Sequence, residues 1–176
     1  MEIIEKIEKI RMDRQMKETN EWVLTEVMDP QEKIDVARLI LEDLPEWFGI
    51  ESARNEYIQQ AADQRVWSCK IKEQPLGFIS LKRTGNATGE VAVVGVSKEM
   101  HRKRIGAALL AALEEGAREE GMEFLQVKTV KLGTDPNYDR TNLFYQRQGF
   151  MEFECFPELW DPGNPCQIYI KSLIKN

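Results

Sequence analysis

The feature that most constrains this chain is the direct passage from an apolar strand into an alanine-rich helix. Residues 90–97, EVAVVGVS, form a valine-rich run that is typical of a β-strand. Residues 104–120 are rich in Ala and Leu and predict a helix that ends at Gly121, a favourable C-terminal cap. The first amide groups of a helix have no hydrogen-bond acceptor within that helix. The fold is therefore expected to present a helix N-terminus at the end of a strand.

The junction between this strand and helix carries four basic-type residues in a row, His101, Arg102, Lys103 and Arg104. A helix N-terminus favours anions, and Arg and Lys side chains add charge-assisted bonds to phosphate oxygens. Gly106 allows a ligand to approach the backbone closely. The pattern favours a diphosphate site, and the alternative is a solvated basic first turn. A nucleic-acid patch is less favoured because the cluster is short and the rest of the chain is acidic.

Composition restricts the classes of function. The 176 residues have a formal net charge of −6 and 42% apolar content, which predicts one globular domain without a nucleic-acid or membrane partner. A single histidine and three widely spaced cysteines predict neither a metal site nor a disulfide scaffold. Cys155 and Cys166 are interpreted as strand residues rather than nucleophiles. With no signal-peptide core at the N-terminus, we expect a cytoplasmic protein.

Hydrophobic periodicity divides the rest of the chain into strands and helices. Residues 2–18 predict a helix with an isoleucine stripe, which could pack on the domain or serve assembly. The order that follows is a strand, two helices, three strands, a helix, a strand, a helix and two strands. These elements are predicted at residues 20–28, 31–44, from Ser52 to 63, 65–73, 76–84, 90–97, 104–120, 122–132, 140–148, 150–156 and 166–174.

Three local details accompany this prediction. Gln74-Pro75 is read as the turn between two strands of a hairpin or meander, and residues 157–165 are read as a loop dense in turn formers. The continuous apolar character of residues 122–132 predicts a strand buried on both faces. Asp29, followed by Pro30, is the expected N-terminal cap of the first helix after residue 20.

A second functional pattern is NLFYQRQGF, residues 142–150, which places Tyr145 on a helix that stops at Gly149. Taken with the basic cluster about 40 residues earlier, it resembles the GNAT acetyltransferase superfamily. The coenzyme A motif of that superfamily, Gln/Arg-x-x-Gly-x-Gly/Ala after a strand, aligns with residues 101–106. His101 stands where Gln or Arg is usual, and Arg104 replaces the first glycine, which an ordinary helical backbone would tolerate.

The resemblance extends from about Trp22 to Ile174 and includes the landmarks Trp47-Phe48-Gly49 and Asn164-Pro165-Cys166, as in a bacterial subgroup of the superfamily. It implies an α/β fold: a central, mostly antiparallel sheet with a parallel pair at the cofactor cleft, flanked by helices. Residues 20–176 would form this single domain, and residues 1–19 would be a helical extension.

The resemblance also implies the site. Acetyl-CoA would be the co-substrate, no metal would take part, and a β-bulge at Gly95 would turn an amide toward the acyl oxygen. Tyr145 would protonate the departing thiolate, although packing alone is the alternative. Asn137 and Asn142 are both near the position where the family has a cofactor-binding Asn. The implied cofactor-binding residues are Val94, Gly95, Val96, His101, Arg102, Lys103, Arg104, Ile105, Gly106, Ala107, Asn142 and Tyr145.

Glu90, at the start of the bulged strand, resembles a glutamate that some members use as general base; the alternative is an exposed strand-end carboxylate. Trp47, Phe48 and Trp160 are the candidate acceptor pocket, with acidic Glu46 and Asp161 at its edge to suit a cationic amine. The alternative is that the tryptophans belong to the core.

The function that the resemblance implies is an N-acetyltransferase. It would move the acetyl group of acetyl-CoA to a primary amine of a small molecule or peptide by direct attack. The alternative is a non-catalytic acyl-CoA-binding regulatory module on the same fold. A monomer or a homodimer is compatible with either.

Overall fold

The computed structural model describes residues 22–174, so the predicted helix over residues 2–18 and the extension 1–19 lie outside the described part. The predicted order of elements from residue 20 onward is confirmed. The strands are β1 (Val23–Val27), β2 (Arg65–Ile71), β3 (Gln74–Arg83), β4 (Thr88–Val96), β5 (Phe124–Val130), β6 (Met151–Asp161) and β7 (Asn164–Ser172). The helices are α1 (Pro30–Glu42), α2 (Glu51–Gln60), α3 (Ile105–Glu119) and α4 (Pro136–Arg147), with 3₁₀ turns at Ala61–Asp63 and Lys98–Met100.

These strands form one seven-stranded sheet in the order β1-β2-β3-β4-β5-β7-β6. The β4–β5 pair is parallel and every other neighbouring pair is antiparallel, which confirms the predicted mixed α/β fold. The parallel pairing covers only Thr88–Glu90 against Phe124–Gln126. Beyond Glu90 the two strands separate, and α3 begins at the far end of β4. A split in the sheet therefore opens beside the basic cluster.

The bulge in β4 lies at Ala92 and not at Gly95, as had been predicted. Ser80 pairs with Val93 and the next residue of β3 pairs with Val91, so Ala92 is the extra residue. This extra residue turns Val91 into the core under α3 and Val93 into the core under α1 and α2. Gly95 is regularly paired.

Each face of the sheet carries its own core. Leu109 and Leu113 of α3 pack with Tyr145 of α4 on one face, whereas Leu41 of α1 and Ile58 of α2 pack on the other. Burying each such aliphatic side chain contributes about 2 kcal/mol. Among residues 22–174, no helix has both the length and the apolar character needed to cross a bilayer.

Several local predictions need correction because turn residues were misplaced. The β2–β3 turn is Lys72-Glu73, with Lys72 at φ 54°, so Gln74 and Pro75 already belong to β3. Asp29 does cap α1, accepting from the Glu32 amide at 2.8 Å. Ser52 does not cap α2, since Ile50 holds that position without a side-chain bond.

The C-terminal half also differs from prediction. Strand β6 continues to Asp161, so most of residues 157–165 is strand and the connection to β7 is a tight turn at residues 162–163. Helix α4 begins at Pro136, four residues early, because the Asp135 carboxylate accepts from the first amides. In β5, buried and partly exposed positions alternate over most of the strand, so the prediction of burial on both faces was wrong.

Candidate active site

The junction between β4 and α3 has an unusual backbone. Arg104, the N-cap of α3, has φ 64° and ψ 6°, and Arg102 has φ 63°, so both residues adopt the left-handed conformation. The expectation of an ordinary helical backbone at Arg104 was therefore wrong. A non-glycine residue in this region costs roughly 1–2 kcal/mol. Since the first helical bond runs from the Ala108 amide to the Arg104 carbonyl at 3.1 Å, the amides of residues 105–107 lack an acceptor within the helix.

The four basic-type residues at this junction are all exposed, but they do not have equal roles. The His101 Nε2 atom lies 2.8 Å from the Val96 carbonyl oxygen, and its ring meets the Trp47 ring edge-on with 5.8 Å between centroids. His101 therefore fastens the junction to the loop after α1. Arg102 and Arg104 have no ion-pair partner within residues 22–174, so their guanidinium groups are available to an anion.

Gly106 is not required by the packing of the protein itself. A Cβ atom built at Gly106 would lie 3.5 Å from the Phe144 ring, which is an ordinary contact. Ile105, by contrast, is buried in the core, so only its backbone can face a ligand. Free amides, exposed cations and room beside Gly106 together fit a phosphate-bearing group.

The end of β4 borders the split in the sheet. Val94, Gly95 and Val96 pair with β3 on one side, and their other edge has no strand partner among residues 22–174. Gly95 has a packing role, because a Cβ atom there would lie 2.7 Å from the Ile40 side chain of α1. The amides on the free edge are available to a ligand in the split, whereas the Val96 carbonyl is already bonded to His101.

Tyr145 lies buried on the inner side of α4. Its ring makes edge contacts with Phe144 and Phe150, at centroid distances of 5.3 and 5.5 Å. Its hydroxyl makes no hydrogen bond to another residue between 22 and 174. Burial raises the pKa of Tyr145 well above its usual value. The side chain is therefore a neutral phenol with a proton to donate.

Asn142 has a structural role that the sequence prediction missed. Its side-chain amide donates to the Val130 carbonyl at 2.8 Å and to the Tyr138 carbonyl at 2.7 Å, and its oxygen accepts from the Tyr169 hydroxyl at 2.7 Å. Asn142 is fully buried and joins α4 to β5 and β7. Both amide hydrogens are used inside the fold, so the side chain has none to donate to a cofactor.

Glu90 forms an ion pair across the parallel strands. The Lys128 ammonium donates to both Glu90 carboxylate oxygens, at 3.0 and 3.1 Å. The Glu90 side chain is 13% exposed, so the alternative of an exposed strand-end carboxylate is wrong. Glu90 is also the last residue of β4 that pairs with β5. Its carboxylate therefore lies where the split begins.

Two further tyrosines, Tyr57 and Tyr138, which the sequence did not predict to belong to the site, lie within electrostatic range of one another. Burial and the nearby Glu90 carboxylate raise the pKa of Tyr57, on α2. The Tyr138 hydroxyl donates to the Trp47 carbonyl, and burial raises the pKa of Tyr138 to about 12, with the charges of Tyr57 and Asp135 adding to the effect. A lone tyrosine on a helix gives no sequence signal, and only the fold brings these residues together.

The predicted acceptor pocket is brought together in part. Trp47 and Phe48 pack at the edge of the core under α1 and α2, and Phe48 meets Tyr57 edge-on with 6.1 Å between centroids. Trp160 lies 43% exposed on the edge strand β6 and belongs to neither core. Its place in the pocket stays a prediction. Burial raises the pKa of the Cys166 thiol to about 11, which agrees with a structural cysteine.

Comparison with known structures places the fold among acetyltransferases. One neighbour is a protein from Desulfovibrio desulfuricans assigned to the GNAT family, with TM-score 0.75, 18% identity, and coverage of 88% of this chain and 100% of that one. An aminoglycoside 6'-N-acetyltransferase complexed with coenzyme A has TM-score 0.69 and 16% identity, covering 88% and 98%. The aminoglycoside 6'-N-acetyltransferase from Enterococcus faecium has TM-score 0.67 and 16% identity, covering 88% and 98%.

The sequence assigns the family. The model of the acetyltransferase (GNAT) family matches residues 34–150, which include the split, the basic junction and Tyr145. No curated protein matches the chain in sequence. The chain belongs to the acetyltransferase (GNAT) family and is an acyltransferase. Enzymes of this family use acetyl-CoA.

Proposed function

We propose that this enzyme moves an acetyl group from acetyl-CoA to a primary amine of a small molecule or peptide by direct attack. The observation that carries the proposal is the group of free α3 amides and exposed arginines beside the point where β4 and β5 separate. Acetyl-CoA would bring an activated thioester to this split. The structural neighbours include enzymes named for acetylating aminoglycosides, which supports a small-molecule amine as acceptor.

The residues of the junction would bind and orient the donor. The amides of residues 105–107 and the side chains of Arg102, Lys103 and Arg104 can donate hydrogen bonds to phosphate oxygens. A free amide on the outer edge of Val94–Val96 would stabilise the negative charge that develops on the acyl oxygen. Arg102 and Arg104 adopt the strained left-handed conformation, and strained backbone of this kind is concentrated at functional sites.

Proton transfer would be divided between the two sides of the sheet. An alkylammonium has a pKa of roughly 10, so the acceptor must lose a proton before it can attack. Glu90 lies at the start of the split, and Lys128 holds its carboxylate in one orientation. Tyr145, buried and neutral, would donate its proton to the thiolate that leaves.

A non-catalytic acyl-CoA-binding module is the second candidate. It is favoured by the bidentate bond from Lys128, because a carboxylate that is already paired is less available as a base. This candidate predicts cofactor binding without turnover, whereas the enzyme predicts both.

The experiment that tests the proposal measures thiol release from acetyl-CoA with a panel of primary amines, together with acetyl-CoA binding by calorimetry. Tyr145→Phe is expected to lower kcat by about a hundredfold without changing the dissociation constant of acetyl-CoA. Tyr169→Phe is the matched control, because its hydroxyl bonds Asn142, and it should keep kcat while losing about 1 kcal/mol of stability. Binding without release of thiol for any amine would favour the non-catalytic module.

A further inference from the structure

Four acidic residues at or near the predicted acceptor pocket have partners within residues 22–174. The sequence had suggested that two of them, Glu46 and Asp161, would suit a cationic amine. The pairs are Glu90 with Lys128, Glu46 with Lys98 at 2.5 Å, Asp161 with Gly163 and Asn164 in the β6–β7 turn, and Asp135 with the first amides of α4. These four carboxylates are therefore already hydrogen-bonded or ion-paired inside the fold.

One cation on this side is incompletely used. Arg54 lies on α2 one turn before Tyr57, and residues three apart on a helix share a face. The Arg54 Nη1 atom donates to the Phe48 carbonyl at 3.1 Å, while its Nε–H is buried without a partner. Within residues 22–174, Arg54 has no carboxylate within ion-pair distance. The Arg54 Nη2 group also makes no hydrogen bond within residues 22–174 and, unlike Nε, is not buried, so it is the donor that remains available to an external anion.

The position of Arg54 relates it to the acceptor. Its partner Phe48 belongs to the loop after α1, and the next residue back, Trp47, contacts both α4 and the basic junction. Phe48 and Tyr57 are in edge contact, and Tyr57 is within electrostatic range of Glu90. Contacts through Phe48 and Tyr57 thus link Arg54 to the side of the sheet on which the Glu90 carboxylate acts.

We propose that the acceptor amine carries a carboxylate, which the Arg54 guanidinium binds while the amine faces Glu90. The acceptor is then of the amino-acid class, with an apolar or aromatic body that Trp47, Phe48 and Tyr57 contact. The Lys128 ammonium donates two hydrogen bonds to Glu90 and has a third N–H that can donate to the carboxylate of the acceptor. This inference rests on the proposed function, because it names the acceptor of that same site.

The experiment compares amines that differ only in the carboxylate: tyrosine with tyramine, lysine with cadaverine, and arginine with agmatine. For at least one pair, kcat/KM for the carboxylate-bearing member is expected to be about tenfold higher or more, the effect of one charge-assisted bidentate bond. Arg54→Gln should reduce that preference to within about threefold, and Arg54→Lys should keep part of it. Arg38→Gln is the matched control, because the Arg38 side chain is exposed on α1 and pairs only with Glu42. This substitution should leave the preference unchanged.

Separate readouts distinguish the failure of this inference from that of the proposed function. Equal or higher kcat/KM for the decarboxylated amines would overturn the carboxylate assignment and leave the acetyltransferase proposal intact. Acetyl-CoA binding without acetylation of either member of any pair would also overturn it. If the parent protein does not bind acetyl-CoA, both the carboxylate assignment and the acetyltransferase proposal are overturned. If Arg54→Gln lowers the melting temperature, Arg54→Lys serves as the folded variant on which the preference is judged.

Discussion

The two sides of the split are built in different ways. The proposed donor side is one continuous stretch, residues 94–107, which offers mainly backbone amides and exposed cations. The proposed acceptor side is assembled from side chains on four separate elements: the loop after α1, α2, the β4–β5 pair and α4. A backbone site tolerates changes of side chain as long as the local conformation is kept, whereas a side-chain site changes with each substitution. The donor should therefore be common to many such proteins and the acceptor particular to this one.

The largest expected effect tests the donor side. Gly106→Glu places a carboxylate beside the free amides of α3 and should weaken acetyl-CoA binding by about a hundredfold or more, measured by calorimetry. Gly106→Ala is the matched variant, because its Cβ atom makes only an ordinary contact with Phe144. It should fold with an unchanged melting temperature. If the parent and the Glu variant bind acetyl-CoA equally well, the phosphates of acetyl-CoA bind elsewhere. The β4–α3 junction would then not be the donor side of the split.

The next effect tests the acceptor side. Glu90→Gln should lower kcat by about a hundredfold if the carboxylate is the base. Lys128→Gln leaves the carboxylate partly buried and unpaired, so it should cost roughly 1–2 kcal/mol of stability in urea unfolding. The double variant should recover part of that loss without recovering kcat. If all three variants keep kcat within about threefold, the pair is structural and the acceptor loses its proton elsewhere.

The same contrast explains what sequence reasoning could predict. Residues 101–106 are contiguous, so the strand–helix junction, its cations and Gly106 are visible as a pattern. The element order follows from periodicity in the same way. Arg54 and Tyr57 on α2, Lys128 on β5 and Tyr138 on α4 lie in three separate segments of the chain, and each is unremarkable in its own segment. Only the pairing of β4 with β5 and the packing of α2 and α4 bring them to one space.

The errors have physical causes of the same kind. The bulge was assigned to Gly95 because glycine favours irregular backbone, but Gly95 is small so that Ile40 can pack against it. Asn142 was assigned to the cofactor because it lies near the position where the family has a cofactor-binding Asn, but its amide is needed to tie α4 to β5. In both cases the residue type was read correctly as special, and tertiary packing decided what it is used for.

A smaller effect sharpens the comparison on the donor side. Arg104→Gly relieves the left-handed conformation of the α3 cap and should raise the free energy of unfolding by about 1 kcal/mol. Lys103→Gly is the matched control, because Lys103 is not among the residues with positive φ, and it should not stabilise the protein. Urea unfolding distinguishes the two. If both substitutions change the free energy of unfolding equally, the left-handed conformation of Arg104 costs no stability. The presence of Arg at this position would then need no functional explanation.

The smallest effect tests the hydrogen bond between α4 and the loop after α1, which contains Trp47. Tyr138→Phe removes the hydroxyl that donates to the Trp47 carbonyl and should cost about 1 kcal/mol at pH 7.

The pH dependence gives this prediction its specificity. The pKa of Tyr138 is about 12 in the folded chain and roughly 10 when unfolded. Between these values the unfolded parent loses the Tyr138 proton while the folded parent keeps it, so the parent becomes less stable as the pH rises. The Phe variant lacks this proton, and the other tyrosines titrate in both proteins. The stability difference measured by urea unfolding should therefore narrow from pH 9 to pH 11. A constant difference would mean that the hydroxyl is solvated and that the loop is not fastened to α4 through it.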